Sequence, residues 1–245
     1  MLMIGLETSG FVGSLALRRD GQLLEERLLG QAGRRHAQSL VLELRELLHT
    51  HGVTPRDVQA IAVSKGPGSF TGLRVGFVCA KTFAYATGCR FVAVDTFAAI
   101  AENCPSDVND VWVVENAQRG DFFVGRYALD NSVSTSTRSW RLMAPVQIVA
   151  ADEWLATRAA SDTITGPGLT DHAGAISSAR LLADDVIAKP RASSIARLGE
   201  QRLISDAMPS IEGGSDTDFW KAVPFYFRPS AAEEQQAKRS GVVSA

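Results

Sequence analysis

The chain is poor in the residues that build metal and redox sites. It has three cysteines, Cys79, Cys89 and Cys104, unevenly spaced and with no Cys-x-x-Cys pair. With no signal peptide at its start, that cysteine usage points to a reduced, cytoplasmic setting. Of its four histidines, His36 stands alone near a helix start, His49 and His51 sit at a polar helix end, and His172 lies apart. None forms the i, i+4 pair of a helical metal site. There is no Gly-x-Ser-x-Gly elbow and no cysteine with an obvious base nearby, so neither nucleophile pattern is met. An excess of one charge is missing too. The 25 basic and 27 acidic residues leave a net charge of −2, which excludes a strong basic field for nucleic acid or an anionic membrane. Every apolar run is broken by charge or glycine well short of about 18 residues, so no membrane span is expected.

What is there is an ordinary soluble composition: 45% hydrophobic, 21% charged, mean hydropathy +0.01 over 245 residues. That length suits one large or two small domains. The most informative stretch is Lys65 to Gly76, KGPGSFTGLRVG. Gly66 and Gly68 can take positive φ and admit a close neighbour, and Pro67 fixes φ between them. Ser69 or Thr71 can cap the helix that follows, from Thr71 to about Tyr85. In that helix only Arg74 and Lys81 carry charge. Gly72, Gly76, Ala80 and Ala84 form a ridge of small side chains, suited to a close helix contact. Two readings of each feature stay open at this point. The turn serves phosphate or only chain geometry, and the ridge meets a partner or the protein's own sheet.

The order of elements predicts the fold. Met1 to Leu6 reads as a strand ending in Glu7-Thr8-Ser9, and Phe11 to Leu17 and Gln22 to Leu29 follow around a tight turn at Asp20-Gly21. Ala37, Leu40, Val41, Leu44, Leu47 and Leu48 recur at helical spacing. A strand from Val58 to Ser64, the GPG turn and its helix, a strand from Phe91 to Val94 and a helix from about Thr96 complete the series. Three strands in a meander followed by alternating helices and strands is a ribonuclease-H-like arrangement, a mixed sheet with helices on its faces.

The second half repeats the plan. FVGSLAL at Phe11 to Leu17 matches FVGRYAL at Phe123 to Leu129, each behind an apolar strand ending in an acid, Glu7 or Glu115. The GPG at 66–68 is matched by Gly166-Pro167-Gly168, after a strand at Thr163 to Thr165 and before an expected helix. Two matches in the same order point to duplication of one unit. The expected fold class is therefore α/β, two ribonuclease-H-like subdomains in tandem with the actin-like or sugar-kinase-like architecture. The boundaries read as 1–104 for the first subdomain, 105–229 for the second, and a polar tail over 230–245. Glu7 and Glu115 are placed either to face each other across a cleft or each to support its own turn.

The residues IGLETSG, RRHAQSL, GPGSFTGLRVG, FVAVDTFAAIA and PFYFR together resemble the bacterial TsaB family, also called YeaZ. This is the non-catalytic partner in the machinery that makes threonylcarbamoyladenosine in tRNA. The resemblance implies the two-subdomain fold and a sister subunit, TsaD, which transfers the threonylcarbamoyl group to adenosine 37 of tRNAs reading ANN codons. It implies binding to TsaD through helices of the N-terminal subdomains, an ATPase, TsaE, that joins the pair, and tRNA contact only through the complex. It assigns the partner face to Leu40 and Leu44 of the first helix and to Gly72, Leu73, Gly76, Phe77 and Ala80 of the second. Gly66, Pro67, Gly68, Ser69, Phe70, Thr71 and Arg74 form a nucleotide or assembly turn. No catalytic residue, metal or tightly held cofactor is implied, and any ATP or ADP contact falls at an interface shared in the complex. Where the sister carries a His-x-x-x-His metal pair, this chain has Thr96 and Ile100, which cannot hold a catalytic metal. It departs from the family at Asn116-Ala117-Gln118, where many members have Asp-Ala-Arg. A homodimer of the isolated chain is left open. The alternative is a stand-alone small-molecule kinase or ATPase of the actin-like class, with a metallopeptidase as a weaker reading.

Overall fold

A computed structural model of the protein describes residues 1–30, 36–130, 138–170, 172, 179–205 and 221–226. The first sheet is built from β1 (Leu2–Glu7), β2 (Ser14–Arg19), β3 (Gln22–Leu28), β4 (Ala60–Ser64) and β5 (Arg90–Val94), in the order β3-β2-β1-β4-β5. β2 is antiparallel to β1 and β3, while β4 and β5 run parallel to β1. The β2–β3 turn has positive φ at both Asp20 and Gly21, the conformation whose twist suits a two-residue hairpin. Phe11 and Val12, read from the sequence as the start of a strand, belong to the loop before β2.

One face of this sheet carries α1 (His36–Thr50) and α2 (Phe70–Thr87) over Ile4, Leu6, Leu15, Leu17, Ile61 and Val63. On α1 the helical spacing puts Leu40, Leu44, Leu47 and Leu48 inside and leaves Val41, Leu42 and Arg45 exposed. Ser69 caps α2 by accepting the Gly72 N–H at 3.2 Å, and Gly88 ends it in the left-handed region.

The second sheet repeats the topology. It comprises β6 (Asp110–Asn116), β7 (Asp121–Leu129), β8 (Trp140–Leu142), β9 (Gln147–Ala150), β10 (Thr163–Thr165) and β11 (Arg180–Leu182). The order is β11-β10-β6-β7-β8, with β9 also paired to β7; β6 and β7 are antiparallel and β10 is parallel to β6 and β11. The central strand, its hairpin partner and the parallel outer strands therefore correspond one for one with the first sheet, as duplication requires. After β10 comes a short 3-10 turn, Pro167–Leu169; most of the helix expected there lies outside the described residues. α4 (Ala151–Ala156) covers the outer face, where Trp154 packs among Val114, Phe122 and Ile164.

Two helices lie between the sheets. α3 (Thr96–Ala101) is capped by Asp95 and packs Phe97 and Ile100 against Val111, Val113 and Tyr127 of the second sheet. Past the short α5 (Asp185–Ala188), α6 (Ala192–Ser205) lies on the inner face of the first sheet, with Ile195, Ala196 and Leu203 over Met3, Ala60, Ala62 and Val92. A division of the sequence at 104/105 assigns α6 to the second unit, yet its packing is with the first. Polar bonds fix it there. Glu200 accepts from Arg18 Nε at 3.3 Å and from Gly21 N at 3.1 Å, and Glu26 accepts from Arg191 and from Ser193 N and Oγ.

Candidate functional site

The KGPGSFTGLR turn is held from three sides by the chain itself. From below, Gly66 and Thr96 exchange two bonds, Gly66 N to Thr96 Oγ1 at 3.0 Å and Thr96 N to Gly66 O at 3.1 Å. From the first hairpin, the Ser9 carbonyl accepts Ser69 N at 2.8 Å. From above comes the segment 221–226, which ends in the first three residues of the signature PFYFR, Pro224 to Tyr226. Phe225 N donates to the Lys65 carbonyl at 2.7 Å, and a β carbon on Gly66 would lie 2.9 Å from Phe225 O. Gly66 has φ of +110° in this closely covered position, a combination that suits glycine alone. Tyr226 stacks on Phe70 with ring centroids 4.7 Å apart, and its hydroxyl meets Arg74 Nε at 3.2 Å. The Arg74 guanidinium lies 3.9 Å from the Phe70 ring. The turn residues named from the sequence thus come together as one cluster, and the groups that cover them are protein groups.

The ridge of small side chains faces inward, which corrects its assignment to a partner. Gly72, Leu73, Gly76, Phe77 and Ala80 are buried on the protein's own sheet, as are Leu40 and Leu44 of α1. The physical reason is the close approach of α2 to the loop after β1. A β carbon on Gly72 would lie 1.9 Å from the Thr8 carbonyl oxygen, and one on Gly76 would lie 2.3 Å from Thr8 Oγ1. Thr8 Oγ1 itself donates to the Gly72 carbonyl at 2.8 Å. The small residues let the helix sit down on the strand end; they are core. The opposite side of α2 is outward: Thr71, Arg74, Thr82, Val78 at 66% exposure and Tyr85 at 71%. Beside it, α1 exposes Val41, at 67%, and Leu42. The sequence carried this signal in the large residues Val78 and Tyr85, seven positions apart on the face opposite the glycines.

Glu7 and Glu115 end the central strands β1 and β6. Alternation along β1 and β4 puts Met3, Gly5, Glu7 and Ser64 on the inner face with α6, and alternation along β6 puts Val111, Val113 and Glu115 on the inner face with α3. Both acids support their own turns. Glu7 Oε1 accepts from Ser9 N and Ser9 Oγ, each at 2.5 Å, and from Gly10 N at 3.2 Å; Glu115 accepts Asn116 N at 2.9 Å. Burial pushes both carboxyls above the ordinary range, Glu115 up to about 7, with the neighbouring Glu7 charge adding to the rise. Glu7 Oε2 and Ser64 Oγ are buried without a complete hydrogen bond, although Ser64 stands close enough to favour the Glu7 charge. A proton on Oε2, directed at Ser64, would satisfy both atoms.

In the second hairpin, Asn116 closes its own turn. Asn116 Oδ1 accepts Gln118 N at 2.7 Å, and Gln118, Arg119 and Gly120 all have positive φ, an arrangement in which asparagine stabilises a tight turn. Thr96 and Ile100 are both buried, the hydroxyl bound to Gly66 and the isoleucine in the second-sheet core. Burial pushes the Cys79 and Cys104 thiols up to about 11, so they are poor nucleophiles at neutral pH. Asp95 joins the two units, capping α3 with Oδ1 and accepting the Tyr127 hydroxyl at 2.9 Å with Oδ2. A cavity of about 850 Å³ opens elsewhere, beside the edge strand β3 between Leu28, Leu42, Val186 and Pro190; no predicted site residue lines it. No helix among the described residues is long and apolar enough to cross a membrane.

Two sequence relatives and one solved structure cover these features. TsaB from Bacillus subtilis, named as a tRNA threonylcarbamoyladenosine biosynthesis protein, is 27% identical over 155 residues, 63% of this chain and 65% of its own. TsaB from Escherichia coli is 27% identical over 134 residues, 54% of this chain and 57% of its own. The YeaZ structure from Pseudomonas aeruginosa superposes with a TM-score of 0.73, covering 92% of this chain and 99% of that one at 23% identity. The chain is thus similar to TsaB (YeaZ) proteins in sequence and in fold. A family model described as TsaD: tRNA N6-adenosine threonylcarbamoyltransferase matches residues 29–145. That span holds α1, the GPG turn, α2 and α3. The chain's match spans less than two thirds of the length of the curated TsaB relatives.

Proposed function

We propose that the chain is the non-catalytic partner subunit of a tRNA threonylcarbamoyladenosine synthesis complex in the cytoplasm. In this reading it binds TsaD and supports threonylcarbamoyl transfer to adenosine 37 of tRNAs reading ANN codons. TsaE joins the pair, and tRNA is reached through the complex. The observation that carries the reading is the exposed apolar side chains on two neighbouring helices of the first unit, Val41 on α1 and Val78 and Tyr85 on α2. Large apolar side chains left exposed on adjacent helices suit an interaction site. The likeness to TsaB and the match to the TsaD family model support TsaD as that partner.

The turn supports the same reading. A phosphate cradle needs N–H groups open at a helix start. Here Ser69 N is bound to Ser9, the Gly72 N–H to Ser69, and Phe225 lies over Gly66. Thr96, at the position of a metal ligand in the sister, spends its hydroxyl on the Gly66 N–H. The test is reconstitution of the tRNA modification with purified components, leaving out one protein at a time. The reading expects no transfer by this chain alone and loss of transfer when it is omitted from the full set. Turnover of ATP or a metal-dependent peptidase activity by the isolated chain would contradict it.

A further inference from the structure

β3 closes one edge of the first sheet, and among the described residues no strand pairs with its far side. Leu29 N donates to Gly13 O, so along the β2–β3 register Arg27 and Glu25 turn their backbone groups to β2, while Glu26 and Leu28 turn theirs outward. The register shifts at Leu17/Arg18, which makes Leu24 an extra residue. Counted from the two-residue turn, Arg19 and Gln22 form the closing pair, so Leu23 also directs its backbone outward. The side chains alternate to match. Leu23 and Leu28 stand opposite Arg18 and Ser14, which bond α6, so both leucines lie on the inner face. Glu25 and Arg27 lie on the other face, bonded to His51 and Thr50. Leu23 is 45% exposed and Leu28 53%, at opposite ends of the strand. Leu28 borders the cavity of about 850 Å³ with Val12, Val186 and Pro190.

We infer that β3 pairs antiparallel with β3 of a second copy of this chain, about a twofold axis at Glu26. That axis sets Glu25 opposite the partner's Arg27 on one face and Leu23 opposite the partner's Leu28 on the other, each contact made twice. Within each strand Arg27 Nε already meets Glu25 Oε1 at 2.5 Å, so pairing gives a ring of four alternating charges. Leu23 of each copy enters the cavity beside the other's Leu28. The two Glu26 side chains at the axis are turned back to Arg191 and Ser193, which neutralise and bond them. The competing register, with its axis at Arg27, sets the two arginines together and Leu28 against Glu26. Like charges directly opposite are destabilising, so the complementarity selects one register. It also selects a second copy, because the same seven residues supply both halves of the match. Two edges that would otherwise stand open close into one continuous sheet. This pairing does not depend on the reading of α1 and α2 as the face for TsaD.

The test is sedimentation equilibrium of the full chain, with the mass expected to rise with concentration from 26.3 kDa towards twice that value. Leu28→Lys and Leu23→Lys, both at exposed positions, should keep the melting temperature and each weaken self-association about tenfold or more. A chain carrying Leu23→Cys and Leu28→Cys together should oxidise to a covalent dimer, and an equal mixture of the two single variants should do the same. Either single variant alone should not. Within one strand the two positions are roughly 15 Å apart, too far for an internal disulfide. A wild-type chain that stays monomeric overturns the inference. Dimers that neither lysine variant weakens and the double cysteine variant does not link are held by another face, and overturn it equally. A monomer whose Leu28 amide exchange is slowed by added TsaD gives the edge to that protein and overturns the self-pairing.

Discussion

Replacing Gly72 by alanine would place a methyl group 1.9 Å from the Thr8 carbonyl oxygen. The obstacle is backbone at the end of a central strand, so no side-chain rotation relieves it. α2 must lift by more than an ångström to reach ordinary contact distance, which breaks the 2.8 Å bond from Thr8 Oγ1 to the Gly72 carbonyl and loosens Phe77 and Ala80 on the core. Overpacking costs about 1–3 kcal/mol, with the clash here at the upper end, and the lost hydrogen bond about 1 kcal/mol. Better helix propensity returns up to about 1 kcal/mol. The net is roughly 3 kcal/mol, or a fall in Tm of about 6–12 °C for a chain of this size. Val78→Ala, at an exposed position on the same helix, should stay within about 0.5 kcal/mol of wild type. Differential scanning calorimetry of the two variants decides the matter. A Gly72→Ala protein melting within about 2 °C of wild type would refute the seating of α2 on Thr8.

Two further outcomes follow from the site. Glu115 has its carboxyl raised to about 7 from an ordinary 4.5, so the folded state holds a proton that the unfolded chain releases. The stability this contributes is complete below about pH 4.5 and lost as pH rises through 7, roughly 3 kcal/mol in all. Glu7 acts in the same direction. Urea melts of Glu115→Gln should therefore show a flatter stability profile between pH 5 and 8 than wild type, and a profile as steep as the parent's would contradict the burial of that charge. Thr96→Val removes the acceptor of the Gly66 N–H and should cost about 1–3 kcal/mol, read from the same melts; an unchanged midpoint would mean that the turn does not depend on α3.

Much of this fold was legible in the sequence because its signals were local. The meander, the Asp20-Gly21 turn, the Ser69 cap and the repeated FVG and GPG segments each lie within a few residues, and the strand orders agree with the plan they implied. Family resemblance was equally local, concentrated in the turn and its helix. What the sequence did not disclose was relative placement. A ridge of glycine and alanine allows close approach without naming the neighbour, so the inner side of α2 was read as its partner side. The return of α6 to the first sheet depends on Glu200 meeting Arg18, 182 residues earlier, and no local pattern encodes that. Nor did the PFYFR signature reveal that Phe225 and Tyr226 close over Lys65, Gly66 and Phe70, since that contact joins distant parts of the chain, Arg74 and Tyr226 being 152 positions apart.

The central claim is that the outward faces of α1 and α2 are the docking surface for TsaD. The most direct measurement is isothermal titration of purified TsaD into wild-type chain and into a Val78→Asp variant whose melting temperature matches wild type. Burying an unpaired carboxylate in an apolar interface costs at least several kcal/mol unless it is neutralised, so the variant should bind at least about a hundredfold more weakly. Equal affinities for the two proteins would place the partner elsewhere and contradict the account.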